Sequence, residues 1–313
     1  MNKIKQKMVE KADRRIWEID FLRGILIIGM VIDHLMFFLG FIPSLYPAAS
    51  VPNWMANVGS FGEAYWNNEF KIAVRFAGLA LFFMLTGISS KFSRSNLKRS
   101  LFCMGFGVLL SLVFLIYTLI SGNHHLALFA VITCLGTSMF LYWAAKAIYT
   151  KVKKSEVNWK WWALGIGLVL TIGGFIMQLC VSTDLRFGHI FLSMFGEYAP
   201  GVSHSDEPLT FSHAVQVFIG SYQWGNDCLG LLPFLGFTFL GGFIGEHVYE
   251  KRISIFFRKD PEKNRQFNAI AIQKTWVINW LGSKTFIIYV IHPIVIALVL
   301  GIIFSIAAGT LPF

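Results

Sequence analysis

R-R-I-W-E-I-D-F-L-R-G-I-L-I-I-G-M-V-I-D-H-L-M-F-F-L-G, residues Arg14 to Gly40, decides the fold of this chain. The apolar run from Ile19 to Ile42 is long enough, as a helix, to cross a hydrocarbon core of roughly 30 Å. It also carries Asp20, Arg23, Asp33 and His34. Each ionisable group in a lipid-embedded helix costs roughly 2.5 kcal/mol or more on insertion scales, and a helix built only to anchor would not carry four. On a wheel of about 100° per residue, with Asp20 at zero, Arg23 falls at about 300° and His34 at about 320°, while Asp33 sits at the margin of that face at about 220°. Arg23 and His34 are roughly 16 Å apart along the axis. One polar stripe thus runs from the inner interface to beyond mid-membrane. A structural seam of salt bridges inside a bundle is the plain alternative. Ionisable residues at membrane depth usually line a pathway or a site, and a His beside an Asp there can act as a base.

The rest of the composition agrees with a membrane setting. Of 313 residues, 55% are hydrophobic and only 14% charged, more apolar surface than a soluble domain of this length could bury. The net charge of +10 is not a nucleic-acid footprint, because Lys and Arg cluster in short connections between apolar runs, as the positive-inside rule requires. The first run is too long and too charged for a cleaved signal. Cys103, Cys134, Cys180 and Cys228 lie in apolar runs without a C-x-x-C pair, so they read as packing residues rather than as a disulfide framework or metal ligands.

In order, residues 1–15 form a basic, cytoplasmic N-terminus with Lys3, Lys5, Lys7, Lys11, Arg14 and Arg15. The first helix leads outward to residues 43–69, which hold three prolines and no Lys or Arg and read as an external loop. Further spans are expected over about 70–90, 100–120, 126–147, 160–181, 228–248 and 284–307. Residues 182–226 contain two short apolar pieces, 187–196 and 211–222, and read as an external region with re-entrant or interfacial segments. Residues 250–275 carry Lys251, Arg252, Arg258, Lys259, Lys263, Arg265 and Lys274 and read as cytoplasmic. The expectation is an all-α, polytopic transmembrane bundle. It has seven spans, with room for up to nine, and forms a single domain over 1–313 in the cell membrane. The N-terminus is inside and the C-terminus outside, so that every basic loop falls on one side.

Several constellations could carry chemistry. Arg75 lies about one turn inside the second span and shares a face with Leu79, Phe82 and Thr86. It either snorkels to the outer interface or turns inward to meet Asp33 or a substrate anion. Arg94, Lys98 and Arg99 sit between the second and third spans. They are ordinary inside charges or a clamp for the phosphates of a cytoplasmic acyl donor such as coenzyme A. Asn226 and Asp227 precede the span at 228–248 as an N-cap or as a polar contact at its mouth. In T-F-I-I-Y-V-I-H-P, Pro293 kinks the last span and frees a carbonyl a turn earlier, with which His292 could simply be satisfied. His189, His204 and His213 are too widely spaced for a metal site. There is no G-x-S-x-G, P-loop, H-E-x-x-H or Rossmann glycine pattern.

The stretch E-I-D-F-L-R-G-I-L-I-I-G-M-V-I-D-H resembles the opening of the heparan-α-glucosaminide N-acetyltransferase family. The resemblance continues in R-F-A-G-L-A-L-F-F-M-L-T-G-I-S-S, in A-L-F-A-V-I-T-C-L-G at 127–136, in N-D-C-L-G-L-L-P-F-L-G-F at 226–237 and in L-G-S-K-T-F-I-I-Y-V-I-H-P at 281–293. It therefore spans nearly the whole chain. The spacing Arg23-x10-His34 also looks like the signature of O-antigen-acetylase-type membrane acyltransferases. Both families imply passage of an acetyl group from cytoplasmic acetyl-CoA to a glycan across the membrane. The animal lysosomal enzymes place their catalytic His beyond the first helix. Here no His occurs between His34 and His124, so the role comes onto His34 through the second family's spacing.

These resemblances imply a membrane acetyltransferase with acetyl-CoA as donor, an amine or hydroxyl of an extracytoplasmic glycan as acceptor, and no metal. His34 would be base or nucleophile, oriented or balanced by Asp33 or Asp20. Arg23, Arg94, Lys98 and Arg99 would face the donor, and Arg75, Asn226, Asp227 and His292 the acceptor. Partners would be membrane lipid and an amino-sugar or glycan, not nucleic acid, with a homodimer allowed. The competing class is a transporter or proton-coupled carrier using the same stripe as a relay; such carriers show internal repeats with broken helices, and none is visible in the sequence.

Overall fold

A computed structural model describes residues 16–121, 129–181, 210–221, 229–250, 253–257 and 261–310. Among them the chain is helical: α1 Trp17–Phe41, α2 Asn53–Trp66, α3 Glu69–Ser90, α4 Asn96–Ser121, α5 Val131–Lys153, α6 Trp159–Val181, α7 Phe211–Ile219, α8 Phe234–His247, α9 Pro261–Lys274, α10 Trp276–Ser283 and α11 Thr285–Ala308. Six of these helices (α1, α3, α4, α5, α6 and α11) contain a stretch long and apolar enough to cross a membrane. The chain is a polytopic helical membrane protein. The basic N-terminus, Asn226, Asp227, Cys228, His124, His125, His189 and His204 lie outside the described residues.

Three expectations change. The span expected over 228–248 is a helix of only 14 residues, Phe234–His247, which is about 21 Å long. Pro233, with no N–H to continue a helix backward, stands at its start, and the preceding residues run non-helically. The second change lies in residues 43–69, read as a loop because of their prolines. Past two 3₁₀ turns they form α2, whose first residue follows Pro52; a proline just before or at a helix start costs nothing. Met55, Gly59 and Gly62 form its buried side, a period-3.6 pattern that the prolines mask. Third, the basic stretch 250–275 is not all loop: it contains α9, opening on Pro261, and α10 begins directly after it.

By its internal contacts the chain divides into two compact units, Met1–Ile72 with Lys251–Phe313, and Ala73–Glu250. In the first unit α1 packs against α2, α10 and α11. Its approach to α10 is backbone to backbone: a Cβ on Gly24 would overlap the Ile278 carbonyl oxygen, and one on Gly282 would overlap that of Asp20. Glycines at such a crossing are what let helices gain van der Waals contact in a lipid solvent that offers no hydrophobic drive. Ile42, Tyr46, Met55, Leu300 and Phe304 form a core at the far end of α1, where Tyr46 Oη bonds Ser305 Oγ at 2.8 Å. At the near end, buried Glu18 accepts from the Ile255 N–H at 2.9 Å, and Trp17 and Trp280 pack on Ile272.

In the second unit α8 is the centre. Phe234, Leu235, Gly236, Thr238, Phe239, Gly241, Gly242 and Gly245 are all buried, against α5 and α6. Its non-helical lead-in is satisfied by backbone partners: Leu229 N–H to Phe129 O at 2.8 Å, Leu231 N–H to Phe218 O at 2.9 Å and Leu232 N–H to Ile219 O at 3.0 Å. In its last turn Glu246 is shared by Lys91 and Lys146, the latter at 2.8 Å, and Lys146 also reaches Glu156 at 3.2 Å. Trp159 donates to the Tyr142 hydroxyl at 3.0 Å.

Candidate active site

The polar stripe of α1 is resolved into three separate pairings, all inside the first unit. Asp20 and Arg23 form an i,i+3 ion pair at 3.7 Å. Asp33 meets Lys71 Nζ at 3.0 Å, with 13% and 8% of the two side chains exposed. The ammonium of Lys71 also stands 3.4 Å from the centroid of the Trp66 ring and 5.4 Å from that of Tyr65. A desolvated ammonium over an aromatic face gains about 2 kcal/mol. Trp66 and Asp33 together therefore make a buried lysine affordable where either alone would not.

The third pairing is between two histidines. The rings of His34 and His292 meet edge to face, their centroids 4.8 Å apart and their planes at 89°. Each is held by its own helix. His34 Nδ1 lies 2.9 Å from the Met30 carbonyl oxygen, and His292 Nδ1 lies 2.7 Å from that of Ile288. A carbonyl oxygen can only accept, so both Nδ1 atoms donate, and in the neutral ring Nε2 is the basic nitrogen. His292 Nε2 is buried with no hydrogen-bond partner among the described residues. Tyr289 flanks it, ring centroids 6.2 Å apart.

The sequence places His34, Arg23 and Asp20 on one face, and the structure keeps them there. It does not bring Asp20 to His34: they are separated by about 21 Å of helix, and Asp20 is engaged by Arg23. Asp33 faces Lys71, one turn before Arg75 on the same helical face. Lys71 was the residue that sequence reasoning missed; the signal was available, since a buried Asp needs a cation and the face of α3 that carries Arg75 carries Lys71 as well. Arg75 is half-buried in the second unit. There too, Arg94 is exposed just before α4, with exposed Lys98 and half-buried Arg99 in its first turn. Ser95 Oγ accepts from the Lys98 N–H at 3.2 Å. No group of three or more His, Cys, Asp or Glu that could hold a metal occurs among the described residues.

The heparan-alpha-glucosaminide N-acetyltransferase catalytic family matches residues 15–294, a span that includes α1 entire and ends just past His292. The chain belongs to this family. Membership makes it a membrane N-acetyltransferase. No curated protein and no solved structure matches the chain. Within an acetyltransferase, the Nε2 atoms of these two histidines are groups suited, in the neutral ring, to nucleophilic or general-base work. The two ion pairs of α1 are already neutralised.

Proposed function

We propose that the chain transfers an acetyl group from cytoplasmic acetyl-CoA to an amine or hydroxyl of an extracytoplasmic glycan or amino sugar. The observation that carries this reading is the His34–His292 contact at membrane depth, with each Nδ1 held by a carbonyl of its own helix. His34 acts as base or nucleophile through Nε2. Asp33, tied to Lys71, positions the turn of α1 that carries His34, and Asp20 positions Arg23 as a contact for the donor. Arg75, Asn226 and Asp227 are proposed acceptor contacts.

Arg94, Lys98 and Arg99 are proposed to hold the donor's phosphates. Cations in the first turn of a helix stand against the positive end of its dipole, which is unfavourable by about 0.3–1 kcal/mol each unless an anion offsets it. Arg94→Ala with Arg99→Ala should weaken coenzyme A binding by roughly 1.5–3 kcal/mol for each charge-assisted bond lost, without loss of fold. Calorimetry on purified protein reads this directly; unchanged affinity in an intact double variant would leave these residues as topology signals.

The proposed site of action is the plasma membrane, N-terminus inside and C-terminus outside. Six long spans alone would return the C-terminus to the inside. The charge of residues 250–275 requires one more inward passage after α6, and α8 with its lead-in supplies it. Non-helical backbone is tolerated at membrane depth only where protein buries and satisfies it, and Leu229 and Leu231 are buried with their N–H groups bonded. A periplasm-type reporter fused after Phe313 should be active outside the cytoplasm; activity inside would mean that α8 does not cross.

A further inference from the structure

We propose that a groove on α6, between Trp161 and Trp162, seats an anionic phospholipid from the leaflet beside the basic α5–α6 connection. The two indoles leave one turn of α6 about 100° apart. Gly165 follows between them on the next turn, and a Cβ there would meet nothing within 4 Å. The groove continues along the outer face of the helix past Ile166, Val169 and Leu170. Its walls are held from behind. The Trp161 ring centroid lies 5.7 Å from that of Phe243 on α8, and the Trp162 centroid 6.1 Å from that of Tyr149 on α5. Both indoles are still about half exposed, at 53% and 55%. A glycine inside a helix weakens it, and on a membrane helix its use is to admit a close neighbour. No described residue fills this notch.

The charge at the mouth of the groove says which lipid. Lys151, Lys153, Lys154 and Lys160 stand in the connection and the turns beside it, against one acid, Glu156, and Glu156 is engaged by Lys146 at 3.2 Å. Lys151, Lys153 and Lys154 are exposed. Lys154 ends α5 in the left-handed conformation, with φ 51°, where glycine is the usual residue; the chain keeps a cation there instead. Lys160 lies in the first turn of α6, where the helix dipole disfavours a cation unless an anion offsets it. Its Nζ stands 5.9 Å from the centroid of the Trp161 ring. Indoles gather at the headgroup level of a membrane, which sets the mouth at the interface and the rest of the groove in hydrocarbon. A phosphate at the lysines with an acyl chain over Gly165 and Val169 suits both halves at once. A second copy of this chain fits less well. Two-fold pairing through α6 would be isologous and would bring the same four lysines face to face at one depth, like charge on like charge. By the positive-inside rule the connection is cytoplasmic, and the cytoplasmic leaflet is the one that carries anionic lipid.

The full chain in a neutral detergent is titrated with phosphatidylglycerol, with phosphatidylcholine of the same acyl chains, and with sodium phosphate. Native mass spectrometry reads retained lipid, and thermal unfolding reads its effect on the fold. Phosphatidylglycerol should be retained and should raise the unfolding midpoint, phosphatidylcholine should do so more weakly, and sodium phosphate should do neither. Gly165→Leu fills the notch without a clash, since nothing lies within 4 Å of its Cβ, and leucine is the better helix former. That variant should fold as well as the wild type without lipid and should retain neither lipid. Lys153→Gln with Lys154→Gln and Lys160→Gln should weaken retention of phosphatidylglycerol by roughly 5-fold for each lysine that faces the phosphate, and leave that of phosphatidylcholine unchanged. Wild-type retention of phosphatidylglycerol in Gly165→Leu would overturn the seat. Equal retention of the two lipids by the wild type would overturn the choice of an anionic headgroup, and stabilisation by sodium phosphate alone would make the site one for a free anion. A wild-type dimer that Gly165→Leu dissociates would make this face a contact between copies and overturn the lipid. Should the triple lysine variant fail to fold, Gly165→Leu and the comparison of the two lipids decide alone. None of these readings uses acetyl transfer, so loss of the acetyltransferase reading leaves the lipid site untouched.

Discussion

His34→Asn is expected to abolish acetyl transfer while the protein still inserts and still binds coenzyme A. Asn keeps an N–H able to reach the Met30 oxygen, where His34 Nδ1 now sits at 2.9 Å, and it preserves approximate size. It removes Nε2, the only part of the ring with a chemical task. Loss of a general base costs ~10²–10⁴-fold, and loss of a covalent carrier costs more, because the two-step path disappears with it. Turnover of labelled acetyl-CoA onto an accepted sugar measures the effect, and binding of coenzyme A by calorimetry controls for fold. Near-wild-type turnover would remove His34 from the chemistry. Loss of fold in detergent would return the stripe of α1 to the role of a structural seam.

The second large effect concerns stability. Asp33→Leu removes the carboxylate that faces the Lys71 ammonium, 8% exposed, at 3.0 Å. An uncompensated buried charge costs about 3 kcal/mol or more, against a marginal total for most folds. Removing both charges in Asp33→Leu with Lys71→Met should recover most of that loss, since an ion pair replaced whole by apolar groups is often neutral. Unfolding in detergent reads both variants. A double variant no more stable than the single one would mean that the pair does not stabilise the first unit. Turnover in a stable double variant then decides the role of Asp33: retained activity makes it a positioning residue, and lost activity puts its carboxylate in the reaction.

The membrane spans were legible because a helix in lipid must be apolar for its whole crossing, which writes a long, unambiguous run into the sequence. The charges of α1 were legible for the same reason, as violations of that run. Their partners were not. Lys71 and Asp33, or His34 and His292, are joined only by tertiary packing within the first unit, and no local period encodes which side chain arrives opposite. The pair His34–His292 is separated by most of the chain, so its two members could be suspected one at a time but not matched. Helix α8 was misjudged in length because hydropathy counts Leu229 to Leu232 as equivalent to the residues that follow, whereas Pro233 sets where the helix can begin. Helix α2 was hidden by prolines that cap it rather than break it.

Burial of α8 also bears on how the protein is made. A span that faces lipid can settle in the membrane as it leaves the ribosome. No described residue of Phe234–His247 is fully exposed, and the N–H groups of Leu229, Leu231 and Leu232 ahead of it are bonded to Phe129, Phe218 and Ile219, residues synthesised before it. Until α5 and α6 stand in place this segment lacks the helices it packs on, and until Phe129 and α7 do, its lead-in lacks backbone partners, in a medium that supplies none. Its arrival is therefore a late event of assembly, a key that turns only after the lock has been built.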